Sequence, residues 1–253
     1  MKFIGREQAA SGSKPLQSAV ISLDLFALLT NYCRHQLSSS HEPLSALQAC
    51  KLARLLLFVT LCWASGLRAR DVLRILSHQL SPALDGAPGD LQLLVTVTKC
   101  SHDPGGCRFI SLTADSGCAS VPAALALYRS ASSALMLPPV IGYLFAPFIA
   151  SSPGSVAYSW SDGAISKATL ESHFKAILAD LGMPSLHITL HSFHGSSSVH
   201  DYLSSVPVSD TLRRIGWTFD TWAHYTLNRT PITLASVLPS LPPSLTWLSA
   251  LHC

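Results

Sequence analysis

Charged residues are scarce in this chain. Lys, Arg, Asp and Glu together make up 12% of its 253 residues, about half of the share that is usual in a soluble protein. The formal net charge is only +3, which permits binding to nucleic acid but does not by itself predict it. The composition alone therefore does not indicate what the protein binds.

A long uninterrupted apolar run is also missing. The mean hydropathy of +0.34 raises the question of a membrane span, for which about 20 consecutive apolar residues are needed. Residues 134–150 fall short of that length and contain three prolines and a glycine, and residues 55–64 are fewer still. We interpret both stretches as core and predict no membrane partner.

Signals for secretion are absent as well. A polar segment follows Lys2 and Arg6, where a signal peptide would need an apolar one. The seven cysteines are an odd number and show no framework of spacings, which favours reduced thiols in a cytoplasmic or nuclear protein. Neither a Gly-rich phosphate loop nor a G-x-S-x-G nucleophile motif occurs.

Two groups of potential metal ligands are present, and both are weak. His187 and His191 have the i, i+4 spacing of zinc-binding helices, but no glutamate follows the first histidine. The second group surrounds a Gly-Gly turn and consists of Cys100, His102 and Cys107. Three ligands around a flexible turn do not make a closed structural site. We predict no metal and no cofactor, with zinc as the less favoured alternative.

Apolar periodicity predicts a mainly helical chain with one β-hairpin, an α+β fold. Helices are expected over residues 20–37, 44–65, 121–130, 167–181, 190–203, 209–215 and 220–228. The second of these is apolar on most sides, so it should be central and buried. It ends at Gly66, and another helix should follow at once through Leu76.

The hairpin is predicted from period-two alternation. Residues 91–98 place Leu91, Leu93 and Val95 on one face. The turn sequence Asp-Pro-Gly-Gly follows at residues 103–106, and residues 108–113 form the return strand. Residues 135–162 are expected to be irregular. We divide the chain into a disordered lead-in (1–15), a folded domain (16–230) and a Pro-rich tail (231–253).

Four local patterns follow one another in a fixed order. The first is Ser-Gly-Leu-Arg-Ala-Arg-Asp at residues 65–71, where Arg68 opens a helix. The second is Lys99 at the end of the first hairpin strand. The third is His-Ser-Phe-His at residues 191–194. The fourth is Ile-Gly-Trp at residues 215–217, with Tyr225 on the helix that comes next.

In these residues the chain resembles the tyrosine recombinase (phage integrase-like) family. That family carries a "T-G-L-R-x-x-E" turn, a hairpin lysine, an H-x-x-R box, a His or Trp after a glycine, and a tyrosine eight or nine residues later. The resemblance covers about residues 19–230 and implies that this domain is catalytic. It assigns the family's site positions to Arg68, Lys99, His191, Trp217 and Tyr225. The Trp variant is most similar to eukaryotic mobile-element recombinases of the DIRS and Crypton types.

The resemblance implies DNA breaking and rejoining, with double-stranded DNA as partner and assembly of several protomers on it. A tyrosine hydroxyl can form a phosphotyrosine ester that a DNA hydroxyl later displaces. The Arg68 guanidinium suits the charge on the phosphate oxygens, and Lys99 can protonate the leaving oxygen. His191 would hydrogen-bond the phosphate or assist proton transfer, and Trp217 would pack and donate its indole N–H. A nuclear location follows if the chain comes from a eukaryotic mobile element, and a cytoplasmic one otherwise.

The chain departs from the family at one site position. His194 stands where the family has its second arginine, and a neutral imidazole offers one donor and no fixed charge. Arg213 or Arg214 could substitute from the next helix. The alternative is a decayed or domesticated DNA-binding scaffold on the same fold. Each residue alone also has an ordinary interpretation, such as an ion pair between Arg68 and Asp71 or a core role for Trp217.

Overall fold

A computed structural model describes residues 19–39, 43–96, 107–150, 157–183, 186–227 and 229–242. Within these ranges the chain is mainly helical, with one three-stranded and one two-stranded antiparallel sheet. The predicted fold class is therefore confirmed. The lead-in, Lys99 and the hairpin turn at 103–106 lie outside the described residues.

The core is built around one long helix. Helix α1 (Leu23–Ser38) is followed by α2 (Ala46–Ser65), which packs against α1 and against four later helices. A capping box starts α2, because the Ser45 hydroxyl accepts from the Gln48 amide and the Gln48 side chain accepts from the Ser45 amide. Helix α2 is long and apolar enough to cross a membrane, but two thirds of its most apolar window is buried inside the fold.

The predicted hairpin is part of a larger sheet. Strands β1 (Leu80–Pro82), β2 (Leu91–Thr96) and β3 (Cys107–Leu112) pair antiparallel in that order. Leu93 lies opposite both Leu80 and Ile110, and all three side chains are buried. The alternation along β2 therefore faces the core as expected. Strand β1 was not predicted, because a strand of three residues shows no measurable period.

Two further predictions about this half of the chain are wrong. Helix α3 (Ala69–Val72) has a single turn and does not reach Leu76, which instead bridges to Tyr143. The segment expected to be irregular contains β4 (Phe148–Ala150) and β5 (Tyr158–Trp160), which pair antiparallel. Such short strands are held by tertiary contacts that no local pattern encodes.

The second half of the chain is helical, as the periodicity predicts. After α4 (Val121–Ala134), the helices are α5 (Lys167–Asp180), α6 (Ser192–Leu203), α7 (Val208–Ile215), α8 (Phe219–Thr226) and α9 (Leu234–Val237). Helix α6 lies between α2 and α8. Its buried stretch Gly195–Ser198 has small side chains, which lets the neighbouring backbones approach closely.

The segment after Thr230 folds back on its own chain as far as residue 242. The Ile232 amide donates to the Val20 carbonyl at 2.8 Å, and the Ser22 amide donates to the Ile232 carbonyl at 2.9 Å. Val237 and Leu241 are buried in the main core. These residues of the Pro-rich tail therefore dock in cis.

The cysteines are not uniformly reduced. Cys33, Cys50, Cys62 and Cys107 are free thiols, whereas Cys118 is part of a disulfide bond. The prediction of reduced thiols is therefore wrong for Cys118, and the scattered cysteine spacings gave no sign of it.

Replacement of the glycine that ends α2 should strongly destabilise the fold. Gly66 has φ +64°, and a Cβ there would overlap Cγ2 of Ile215. We expect Gly66→Ala to lower the free energy of unfolding by about 3 kcal/mol, from left-handed strain and the overlap together.

Gly163→Ala is the matched control, measured by urea unfolding. Gly163 also has a positive φ, of +85°, but no atom lies within 4 Å of its added Cβ. Its replacement should cost about 1 kcal/mol, from strain alone. Equal losses in the two variants would contradict the close packing of Gly66 against α7.

Candidate active site

Three segments of the chain, each at the start or end of a helix, come together at the candidate site. The sharp turn at Gly66 places Arg68 at the N-cap of α3, where it is half-buried. His191 and His194 lie at the start of α6. The turn between α7 and α8 carries Trp217, and α8 carries Tyr225. Residues far apart in sequence are thus brought together at the ends of short helices.

His194 links the start of α6 to the turn at Gly66. Its side chain is 1% exposed, and its Nδ1 lies within hydrogen-bonding distance of the Gly66 carbonyl. Because a carbonyl only accepts, Nδ1 carries the proton. Nε2 is then the unprotonated nitrogen, and it is buried without a hydrogen-bond partner among the described residues.

His194 is therefore a neutral side chain. Burial lowers its pKa to about 3, and the nearby His191, Arg68 and Arg229 contribute to the lowering, while the Gly66 carbonyl opposes it. At pH 7 the imidazole cannot provide the positive charge that an arginine would bring. His194 thus forms a hydrogen bond with a backbone carbonyl and carries no charge.

Aromatic rings surround Tyr225. The Trp217 ring centroid lies 4.9 Å from that of Tyr225, the His194 centroid 5.6 Å and the His191 centroid 6.1 Å. His194 and Trp217 also contact each other edge to face, at 4.5 Å. Tyr225 itself is half-buried. Four of the predicted site residues thus form one continuous cluster.

Arg68 lies beside this cluster. It lines a small crevice together with His194 and Trp217. The ion pairs among the described residues are those of Arg213 and Arg214, so Arg68 has no carboxylate partner there. Its charge nevertheless lowers the pKa of His191, though less than burial does. Arg68 forms no ion pair with Asp71, although its charge opposes the rise that burial causes in the pKa of Asp71.

The two arginines of α7 do not take the place of the missing one. Arg214 pairs with Asp201 and donates to the Ser197 hydroxyl at 2.9 Å and to the Ala64 carbonyl at 2.8 Å. It therefore ties α7 to α6 and α2. Arg213 pairs with Asp210 at 3.0 Å, and its side chain is 82% exposed. Neither lies in the ring cluster.

Arg229, which the sequence motifs do not single out, also lies next to Tyr225. The guanidinium carbon of Arg229 lies 4.7 Å from the centroid of the Tyr225 ring. The charge of Arg229 lowers the pKa of both His191 and His194. Arg229 comes four residues after Tyr225, a spacing that makes two side chains neighbours when both are in one helix. The sequence could not indicate this contact, because α8 ends at Thr226, before Arg229.

Potential metal ligands do not cluster in the described part of the chain. No group of three or more His, Cys, Asp or Glu side chains there is arranged to hold an ion. Lys99, together with Cys100 and His102 of the second candidate group, lies outside the described residues.

The fold is that of the catalytic domain of a tyrosine recombinase. It combines a central buried helix, a small antiparallel sheet and a late helix that carries Tyr225 and packs against α6. This confirms the fold that the sequence motifs implied.

Two solved structures of the XerH site-specific recombinase show the likeness. One is a post-cleavage complex with a palindromic difH substrate, with a TM-score of 0.56 and 14% identity over 82% of this chain. The other is a pre-cleavage complex with difH, with a TM-score of 0.56 and 15% identity over 84% of this chain. At this identity the likeness shows the fold alone.

The chain spans about half the length of those recombinases, 49% and 51% respectively. No protein-family model matches the chain, and no curated protein matches it. The site residues therefore have to be judged on their own geometry.

The buried His194 should make folding sensitive to acid. The unfolded state binds a proton near pH 6.5, whereas the folded state resists it down to about pH 3, so stability falls as the pH drops through this window. Between pH 7 and pH 5 the loss from this residue should be about 2 kcal/mol.

Urea unfolding of His194→Asn at the two pH values tests this. Asn does not titrate, and its amide can still donate to the Gly66 carbonyl, so the variant should lose less stability than the parent on going to pH 5. His78→Asn is the control, because His78 is exposed and lies in a short turn before β1. If both variants keep the parental pH dependence, His194 is not the buried neutral group described here.

Proposed function

We propose that this chain cleaves and rejoins double-stranded DNA, with Tyr225 as the nucleophile. The observation that carries the proposal is the cluster itself. A half-buried tyrosine is surrounded by Trp217 and two histidines, and Arg68, without a carboxylate partner among the described residues, lines the adjoining crevice. These are the residues to which the family resemblance assigns site positions.

In the cleavage step, the Tyr225 hydroxyl oxygen attacks the scissile phosphorus. A new P–O bond to the tyrosine forms and the bond to the 5′ oxygen breaks, which leaves a 3′-phosphotyrosine and a free 5′ end. The phenolic proton passes to His191, whose pKa burial lowers below its usual value, so that it is a neutral base at pH 7. Rejoining is the reverse, with a DNA 5′ hydroxyl displacing the tyrosine.

Two cations have roles in the proposed reaction. Arg68 contacts the non-bridging oxygens, where negative charge accumulates in the transition state. Lys99 protonates the leaving 5′ oxygen, in keeping with its place next to β2 in the sequence. Because the phosphotyrosine bond conserves the energy of the phosphodiester, the reaction needs no cofactor.

The biological setting is part of the proposal. We infer integration or recombination of a mobile element of the DIRS or Crypton type, with several protomers assembling on the DNA. A eukaryotic element of this kind would place the protein in the nucleus, and another origin would place it in the cytoplasm. The support is the tryptophan at position 217, the variant on which the resemblance to these elements rests.

A second candidate function is favoured by one observation. His194 is buried and neutral where a charged donor is expected, and loss of such a donor costs about 10²–10³ in rate. A chain that had given up catalysis could keep the fold as a DNA-binding scaffold.

A nicked suicide duplex made from the ends of the candidate element separates the two functions. Once cleaved, such a duplex releases its short 5′ fragment, so the covalent protein–DNA adduct accumulates and is visible on a denaturing gel. We expect an adduct with the parent protein, none with Tyr225→Phe, and about 10²–10³-fold slower formation with Arg68→Ala.

Tyr202→Phe is the matched control, since Tyr202 is 47% exposed and contacts Trp222 rather than the site. It should form adduct at the parental rate. An adduct that persists in Tyr225→Phe would show that Tyr225 is not the nucleophile. Sequence-specific binding without an adduct in the parent would favour the scaffold.

A further inference from the structure

The proposed reaction leaves a deficit of positive charge at the site. The phosphorane transition state carries two negatively charged non-bridging oxygens, and Arg68 is one cation. His194, which stands where the family has its second arginine, is neutral and already hydrogen-bonded to the Gly66 carbonyl. A second charged donor must come from another residue if the rate is to be more than residual.

Arg229 is placed to be that donor. Its guanidinium carbon lies 4.7 Å from the Tyr225 ring centroid, and one of its terminal nitrogens lies close to Gly195, the residue after His194. The guanidinium therefore lies next to both the nucleophile and the first turn of α6. A Cβ added at position 195 would lie 3.5 Å from the Tyr225 ring and 4.0 Å from this nitrogen, so Gly195 is next to both residues.

The pKa shifts of the two histidines also indicate that Arg229 lies near them. The charges of Arg229 and Arg68 both act on His191 and on His194. Both guanidinium groups therefore lie near the histidine pair. The other cation that acts on His191 is Lys167, which is exposed at the first residue of α5 and makes no ring contact with Tyr225.

We propose that Arg229 binds the scissile phosphate and supplies the second positive charge of the site, in place of the side chain at position 194. The inference rests on the proposed function and names the cation which that function requires. An arginine suits the role because its fork can donate two hydrogen bonds to two oxygens at once. The contact with the Tyr225 ring holds it next to the nucleophile before DNA binds.

A purely structural role is the competing explanation. A cation over an aromatic ring contributes about 0.5–1 kcal/mol at an exposed site, and Arg229 could do no more than steady α8. The two roles differ in one respect, because only a phosphate-binding residue responds to the charge on the phosphate.

Binding of orthovanadate, a phosphate analogue, tests for the anion site without DNA. The full chain is titrated with orthovanadate and followed by ⁵¹V NMR. We expect Arg229→Gln to weaken binding roughly tenfold or more, the loss of one charge-assisted pair of hydrogen bonds, and Arg229→Lys to weaken it less. Arg213→Gln removes an exposed cation outside the cluster and should bind like the parent. Parental affinity in Arg229→Gln, or no saturable binding by the parent, would overturn the inference.

Adduct formation on two duplexes tests the same contact during catalysis. One duplex has the ordinary scissile phosphodiester, and the other has an uncharged methylphosphonate at that position. Arg229→Gln should slow adduct formation by about 10²–10³-fold on the phosphodiester and by less than about tenfold on the methylphosphonate, which carries no charge to neutralise. Equal slowing on both would assign Arg229 a structural role.

The two measurements distinguish the inference from the function on which it rests. If vanadate binding depends on Arg229 but the parent forms no adduct, the proposed reaction fails while the anion contact stands. If the parent forms adduct and Arg229→Gln forms it equally fast on the phosphodiester, the reaction stands and the inference is wrong. Circular dichroism of each variant shows that it is folded.

Discussion

The site depends on one hydrogen bond, between the His194 imidazole and the Gly66 carbonyl. It joins the start of α6 to the turn that presents Arg68, and this turn exists because Gly66 adopts a left-handed conformation against Ile215. Trp217 and Tyr225 then pack on the same imidazole. A single buried side chain thus sets the position of the arginine turn relative to the tyrosine helix.

The hydrogen bond between His194 and Gly66 also determines the charge state of the His194 imidazole. An imidazole that donates to a carbonyl in a buried position stays neutral, since protonating the second nitrogen would leave a charge without solvent or a carboxylate partner. The side chain at position 194 therefore contributes geometry, and positive charge has to come from its surroundings. Arg68 and Arg229 are the cations whose charges act on both histidines.

Much of this architecture is predictable from the order of the amino acids. The period of α2 and its end at Gly66, the alternation along β2 and the order of the motif residues all correspond to the fold found. The errors have a common cause. Strand β1, the β4–β5 pair and the short α3 are fixed by partners distant in sequence, and Arg214, a candidate for the missing charge, is held by Asp201 and Ser197 instead.

The sequence by itself determined the helical class, the buried central helix and the identity of the nucleophile candidate, because periodicity and motif order are local properties of the chain. Only the tertiary structure decided that His194 is neutral, that Arg213 and Arg214 stay outside the cluster, and that Arg229 lies over the Tyr225 ring. Burial and the distances between helices arise when the chain folds. A side chain's charge state and its neighbours across helices follow from them, and no local pattern contains that information.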